Sequence, residues 1–379
     1  SFAKGQLEAG VKAMGREEYF NHSNVAAVIA SQALLANSSV TADPNTGYAK
    51  VFGSMDKAVA HSEKFSMGVS YASSRTGRFE FGNEENKLGW HQSDGAVYLY
   101  YGDPQQYADN YWNTVDPHRL AGITTDGSIW DIKNWGSYAG NGTFNGGSVA
   151  GPYLSLAQDF KNYTDAANPN LTAKKSWFVF DGEVVALGAG ITGVNGAAET
   201  IVDNKKINGG NAFVVDGEAA VSNVGDNASS EGAQWAWLAG NPSADSIGYY
   251  FPERADLDLL REARTSSWSA INGAAGVSTD PVTRSYLSIA IPHDGVEGDS
   301  YSYVLLPRLT QSETQAYAAN SGLTILSNTD ALQAVADKNA SAAGFTFWQA
   351  GKAEMPEGGK ITAVSSSAPA SVTLYQKDG

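Results

Sequence analysis

From Tyr48 onward the chain consists of short runs in which apolar and polar residues alternate, each closed by a cluster of Gly, Asn or Asp. A period of two puts successive side chains on opposite faces of a strand, so one face can bury while the other meets water. The clearest runs are 65–72, 78–81, 96–101, 176–180, 184–188, 212–215, 234–238, 247–251, 284–291 and 301–306. So many strands with turn residues between them predict a mainly β fold, a sandwich or several stacked sheets. Residues 310–317 and 329–338 read as short helices, and 127–170 as a long Gly/Asn-rich loop carrying Trp130 and Trp135. Loops of that length in a compact domain are often functional.

The first 47 residues differ. Leu7 to Leu35 is Ala-rich at near-helical spacing, and the turn-rich Asp43-Pro44-Asn45-Thr46-Gly47 follows it. One or two helices are expected there, forming the tail of a helical domain.

Composition narrows the function. Eighteen Tyr and nine Trp among 41 Gly suit half-buried sheet positions and flat sugar-binding surfaces. There is no cysteine, which excludes thiol nucleophiles, disulfides and thiolate metal sites. A net charge of −15 argues against general nucleic-acid binding. It also means that an acidic ligand would need a local cluster of Arg, Lys, Asn and aromatic groups. No apolar run reaches the ~18 residues of a membrane span.

Two constellations stand out. In 71–91, a polar loop holds Asn83, Glu84, Glu85 and Asn86 and is followed by Trp90 and His91. Asn amides can donate to and accept from sugar hydroxyls, and a Trp face suits the C–H surface of a pyranose. An ordinary Asx turn explains the same residues equally well. Adjacent Glu84 and Glu85 would point apart on a strand, so they do not make the paired carboxylates of a hydrolase. The second constellation is Arg261, Glu262, Arg264 and Trp268. Its guanidinium forks suit a carboxylate or sulfate, or alternatively an Arg–Glu pair between strands. The histidines His22, His61, His91, His118 and His293 lack metal-ligand spacing. Asp181 in Phe180-Asp181-Gly182-Glu183 reads as a turn residue, with calcium as the alternative.

Several blocks in order then carry a resemblance: Met55-Asp56-Lys57-Ala58-Val59, 71–91, 107–124, Lys174-Lys175-Ser176-Trp177, 199–206, 261–268 and 301–307. Together they resemble polysaccharide lyase family 8, which includes hyaluronate, chondroitin AC and xanthan lyases. The resemblance implies a secreted bacterial enzyme with an (α/α) helical toroid, a central β super-sandwich and a small C-terminal β domain. On that reading residues 1–47 end the toroid, 48–340 form the super-sandwich and 341–379 begin the last domain. The implied reaction is β-elimination at a uronic acid, leaving an unsaturated uronate; hyaluronan or chondroitin leads as substrate, with xanthan second. The family's catalytic Asn, His, Tyr and Arg lie in the toroid, so no catalytic residue is expected in this chain. The implied substrate contacts are Asn86, Asn83, Glu85, Arg261, Arg264 and Trp90. The implied partners are the acidic polysaccharide and a helical toroid, in the same or a companion chain. Calcium is not required, and Gly182 interrupts the acidic pattern of relatives that bind it. A non-catalytic carbohydrate-binding sandwich and a structural surface protein are the alternative classes.

Overall fold

The computed structural model describes residues 5, 8–12, 24–41, 47–129, 131–140, 142–162, 171–193, 197–241, 246–293, 295 and 297–376. They fall into two compact units, Ser1–Tyr48 and Ala49–Gly379. In the first, the expected helix runs Val25–Ala36, and its N-cap Asn24 accepts from the Ala27 amide at 3.0 Å. Lys12 Nζ donates to Val40 O at 2.7 Å. No helix among the described residues is long and apolar enough to cross a membrane.

The second unit is mainly β, as its alternation predicts. An antiparallel sheet orders Tyr48–Phe52, Lys57–His61, Ser66–Tyr71 and Asp94–Tyr100 side by side. Next comes a 12-stranded sheet that forks. Its hinge is the 20-residue strand Ile247–Ser266. Residues 247–250 of that strand pair with Asp299–Pro307, whereas residues 258–266 pair with Val282–His293. Arg254, at φ 57, lies between the two pairings, and the strand changes partner across it. One strand thus serves both arms of the sheet. Trp177, Tyr249, Tyr303 and Leu156 fill the main core, joined by Ala58, Met67, Val69 and Leu99 from the smaller sheet.

A further four-stranded sheet orders Leu323–Asn328, Leu332–Asp337, Ala342–Phe347 and Ala370–Tyr375. It draws strands from both sides of residue 340. Gly344 lies where this sheet meets the large one: a Cβ there would fall 2.2 Å from the Phe178 ring and 2.5 Å from Ser155 Oγ. Neither neighbour can retreat inside the packed core, so Gly344→Ala is expected to cost about 1–3 kcal/mol. Denaturant unfolding would check this, and an unchanged midpoint would mean that the seam is loose.

Three expectations are corrected. Residues 329–338 do not form a helix; Leu332–Asp337 is a strand between two others. Its Ala-rich run has helical propensity, but small side chains also suit the crowded interior of a sheet. The stretch 127–170 is not one loop, since it contains the strands Asn145–Ala150 and Tyr153–Lys161. Tyr153–Lys161 is buried on both faces for eight residues, which removes the alternation that marks a strand. Finally, 78–81 makes no strand and is held by isolated contacts. Trp130 and His22 lie outside the described residues.

Candidate functional site

The Asn83–Asn86 loop is a tight reversal. Glu85 N donates to Gly82 O at 2.8 Å, and the two residues between them, Asn83 and Glu84, have φ 51 and 63. Two central residues at positive φ are characteristic of a type I′ turn, in which Asn is favoured and Glu is strained. Asn86 follows at φ 60. Three left-handed residues in four, none of them Gly, are costly and must be held by their surroundings.

What holds them is the second constellation. Lys87 N donates to Ile271 O at 2.9 Å, Gly273 N donates to Glu84 O at 2.8 Å, and Glu85 bridges Asn272. Those partners begin in the short helix Trp268–Ile271, directly after the long hinge strand. Two stretches, 83–87 and 268–273, therefore form one wall, and their separation of about 185 positions is why neither reveals the other. On the other side Trp135 N donates to Phe81 O at 2.8 Å, and the Trp135 ring lies where a Cβ on Gly82 would be, 2.7 Å away. Only Gly fits there.

Two cavities open on this wall. The larger, about 840 Å³, is lined by Lys57, Arg78, Glu80, Tyr98, Ser137 and Tyr138 among others. The smaller, about 230 Å³, is lined by Leu88, Leu120, Trp268, Ile271 and Asn272 among others. Asn86, Gln92 and Trp112 line both. Asn86 and Gln92 exchange two bonds, Nδ2 to Oε1 at 3.0 Å and Nε2 to Oδ1 at 2.9 Å. Asn86 Nδ2 also donates to Glu80 O at 2.8 Å. That reciprocal pair fixes which way each amide faces. Trp112 is 36% exposed and sits edge-on to Tyr111 with ring centroids 5.2 Å apart. Trp268 is 37% exposed and is oriented by Nε1 donating to Asn110 Oδ1 at 2.9 Å.

Behind the larger cavity lies a buried charge network. Arg78 and Asp94 are each about 2% exposed and paired, and His91 Nδ1 meets Asp94 Oδ2 at 2.9 Å. Burial alone would raise the Asp94 carboxyl, but Arg78 and His91 outweigh it and hold the carboxyl below its usual range. Lys175 is fully buried beneath, donating to Gly122 O at 2.7 Å and Asp94 O at 3.1 Å; burial pushes its ammonium down to about 7. Burial likewise lowers Lys57 at the cavity edge, despite Asp56 beside it.

The six residues singled out by sequence are thus only partly brought together. Asn83, Glu85 and Asn86 share the loop, the first two exposed and the third half-buried. Trp90 is half-buried and stacks on His118 at 5.2 Å. Arg264 lies close to the same wall, but its guanidinium is engaged: Nε donates to Thr114 O at 3.0 Å, and Nη1 meets Asp116 and Glu262 at 3.2 and 3.3 Å. Arg261 is corrected outright. It is fully buried, with Nη1 on Gly209 O and Nη2 on Asn211 O at 2.6 Å each, so it stitches a loop and meets no ligand. A guanidinium fork suits backbone carbonyls as well as carboxylates, which is why the sequence did not separate these roles. Trp112, Gln92 and Asn272 were missed. Trp112 lay in view within the block 107–124, but its position between two cavities depends on long-range pairing.

The corner after Phe180 does not fit a calcium ion. A side chain at Gly182 would meet Lys64 Nζ at 2.9 Å, so an ammonium occupies the place of a ligand. Asp181 accepts from Tyr153, and burial followed by Asp337 raises Glu183 well above the usual carboxyl range. No group of three or more His, Asp or Glu among the described residues is arranged to hold a metal.

Comparison with known proteins gives two adjoining family matches. Residues 47–318 match the model of the polysaccharide lyase family 8 super-sandwich domain, and 324–379 that of the family's C-terminal β-sandwich domain. A xanthan lyase of Bacillus sp. (strain GL1) is 38% identical over 304 residues, 79% of this chain and 32% of that protein. A hyaluronate lyase of Enterococcus faecalis is 35% identical over 351 residues, 88% of this chain and 33% of that protein. Among solved structures, Paenibacillus xanthan lyase superposes with a TM-score of 0.85 at 34% identity, covering all of this chain and 36% of its own. A chondroitin AC lyase of Streptomyces coelicolor A3 gives 0.81 at 31% identity, covering all of this chain and 48% of its own. The chain spans about a third of the length of these curated relatives.

Proposed function

The chain belongs to polysaccharide lyase family 8, and from that premise we propose that it forms the sheet side of the substrate cleft in a secreted lyase that cleaves an acidic polysaccharide by β-elimination. The observation that carries the reading is the paired cavity: Asn86 and Gln92 line both parts, Trp112 and Trp268 supply ring faces, and Lys57 lies in the larger part, where Arg78 is already paired with Asp94. A uronate-containing glycan needs those groups together, because its carboxylates seek cations while its ring faces seek apolar planes. The elimination itself needs a carboxylate neutralised, a proton taken from C5 and a proton given to the leaving oxygen. The resemblance assigns those acts to a helical toroid, which in this reading covers the cleft from the opposite side. What this chain contributes is to bind and orient the glycan. Hyaluronan or chondroitin leads as substrate. The reading keeps a helical end up to about residue 47 but moves the last boundary from residue 340 to before Leu323–Asn328, because strands on both sides of residue 340 pair in one sheet.

The test is to incubate the enzyme, assembled with its helical domain, with hyaluronan, chondroitin and xanthan while following ultraviolet absorbance of unsaturated uronate. Silence on all three would overturn the reading. The isolated chain is expected to bind acidic glycan and release no unsaturated ends.

Asn86 is the residue to probe, and Gly is the substitution to use. Asn86→Ala would keep the strain of a Cβ at φ 60 while losing the amide that makes Asn tolerant of it. Asn86→Gly removes the amide without that strain. It is expected to lower kcat/KM by up to about tenfold, the loss of one hydrogen bond that Oδ1 can still accept from substrate, and to cost about 1–3 kcal/mol of stability, since Gln92 and Glu80 O lose their partner. An unchanged kcat/KM would remove Asn86 from the site.

A further inference from the structure

We propose that the corner Asp109–Asn110 is a positioning device for both rim tryptophans, setting Trp112 through the chain and Trp268 through a hydrogen bond, and that Lys206 and Arg284 hold this corner in place. This rests on the lyase reading above and adds to it residues that act through others. The first ground is the backbone. Asp109 and Asn110 have φ 48 and 62, two left-handed residues in succession. Gly would take those angles without strain, so the side chains present there point to a use for them.

The second ground is where those side chains go. Asn110 stands at the N-cap of the short helix Tyr111–Thr114, where an Asn oxygen ordinarily accepts from first-turn amides. It makes no such bond here. A capping residue needs extended backbone, and the left-handed angle turns Asn110 away from its own helix. Its Oδ1 instead accepts from Trp268 Nε1 at 2.9 Å, across 158 positions of sequence. The Asp109 carboxylate is gripped by Arg284, with Oδ1 accepting from Nη2 at 2.5 Å and Oδ2 from Nε at 2.9 Å. That fork holds the carboxyl below its usual range although Asp109 is exposed.

The third ground is Lys206. It is buried, and its Nζ donates to Gln105 O at 2.6 Å, Ala108 O at 2.7 Å and Asp109 O at 3.3 Å. These carbonyls use all of its protons, so one ammonium ties down the chain that leads into the corner. Lys206 and Arg284 come from the paired strands Ala198–Ile207 and Val282–His293, which gives the corner a rigid base. At the other end of the helix, Tyr286 Oη meets Thr114 Oγ1 at 2.7 Å and Arg264 Nε donates to Thr114 O at 3.0 Å. Trp112 stands between these anchors and lines both cavities, while Trp268 lines the smaller. A shift of the corner therefore moves one ring and releases the other, where separate supports would let each drift alone.

The experiment takes the assembled enzyme with whichever of hyaluronan, chondroitin and xanthan yields most unsaturated product, and measures KM and kcat separately. Asn110→Gly keeps the left-handed backbone and removes the acceptor. It is expected to raise KM about fivefold, the size of one orienting hydrogen bond, with kcat held within about twofold. Asn110→Asp restores the acceptor and should bring KM back to within about twofold of wild type. Trp268→Phe should raise KM at least about fivefold, and adding Asn110→Gly to it should change KM by less than about twofold, since both break the same contact. Arg284→Gln loses the fork and should raise KM by about two- to threefold without lowering kcat. An unchanged KM in Asn110→Gly overturns the proposal. So does a loss that Asn110→Asp fails to restore, or one that appears in kcat alongside a lowered unfolding midpoint, since either marks a corner that only supports the fold. Wild-type enzyme silent on all of these polymers overturns the lyase reading itself.

Discussion

Replacing Arg78 with Met is expected to destabilise the fold by about 3–5 kcal/mol, the largest effect of any single change considered, because it strands a buried carboxylate. Asp94 is about 2% exposed, and its partners are Arg78 and, at 2.9 Å, His91 Nδ1. With Arg78 gone, the carboxylate must remain charged without its main counter-ion or take up a proton. The double variant Arg78→Met/Asp94→Leu should recover most of the loss, since a well-packed apolar pair often replaces a buried ion pair at little cost. The same network sets an acid limit. The folded-state pKa of Asp94 is depressed, so its contribution is fully present above the unfolded value of roughly 3.9 and fades as pH falls through the lower folded value. Denaturant midpoints of the wild type, the single variant and the double variant would measure all three. An Arg78→Met protein within about 1 kcal/mol of wild type would mean that water reaches the pair.

Lys175 gives the second large effect, with the opposite pH dependence. Its folded pKa of about 7 lies below the ordinary lysine value near 10.4, so between them the unfolded chain holds a proton that the folded chain lacks. Stability must therefore rise with pH across that window. Integrating gives a gain of about 2 kcal/mol from roughly pH 7 to pH 9. Lys57, Lys205 and Lys206 are also lowered by burial and contribute with the same sign. The comparison that isolates Lys175 is thus the wild type against Lys175→Met, which should lose about 2 kcal/mol of the rise. Parallel stability–pH curves for the two proteins would show that Lys175 stays charged when folded.

Much of the architecture was legible because period-two alternation reports burial on one face. The runs at 234–238 and 247–251 are the visible ends of the much longer strands Asn227–Leu238 and Ile247–Ser266. The rest of each strand is more polar and more exposed, so its pattern fades. Tyr153–Lys161 failed for the converse reason, being covered on both sides. At the site, the loop of Asn83 and Asn86 could be read because the polar cluster is local. Its wall could not, because Trp268 and Asn272 arrive only after a 20-residue strand has carried the chain across the sheet. Arg261 and Arg264 looked alike in sequence, yet one is sealed by carbonyls and the other stands half-open beside Asp116.

The seam at Gly344 has a bearing on how such proteins evolve. Along it Thr373 Oγ1 meets Ser155 Oγ at 2.8 Å, Ser148 Oγ meets Thr373 Oγ1 at 2.8 Å, and Ser176 Oγ reaches Gln333 Oε1 at 2.6 Å. Each such bond is lost if either partner across the seam changes, so the final sheet is not a bead that recombination can swap for another. The two halves have to drift as one inheritance, each constrained by the ancestry of the other.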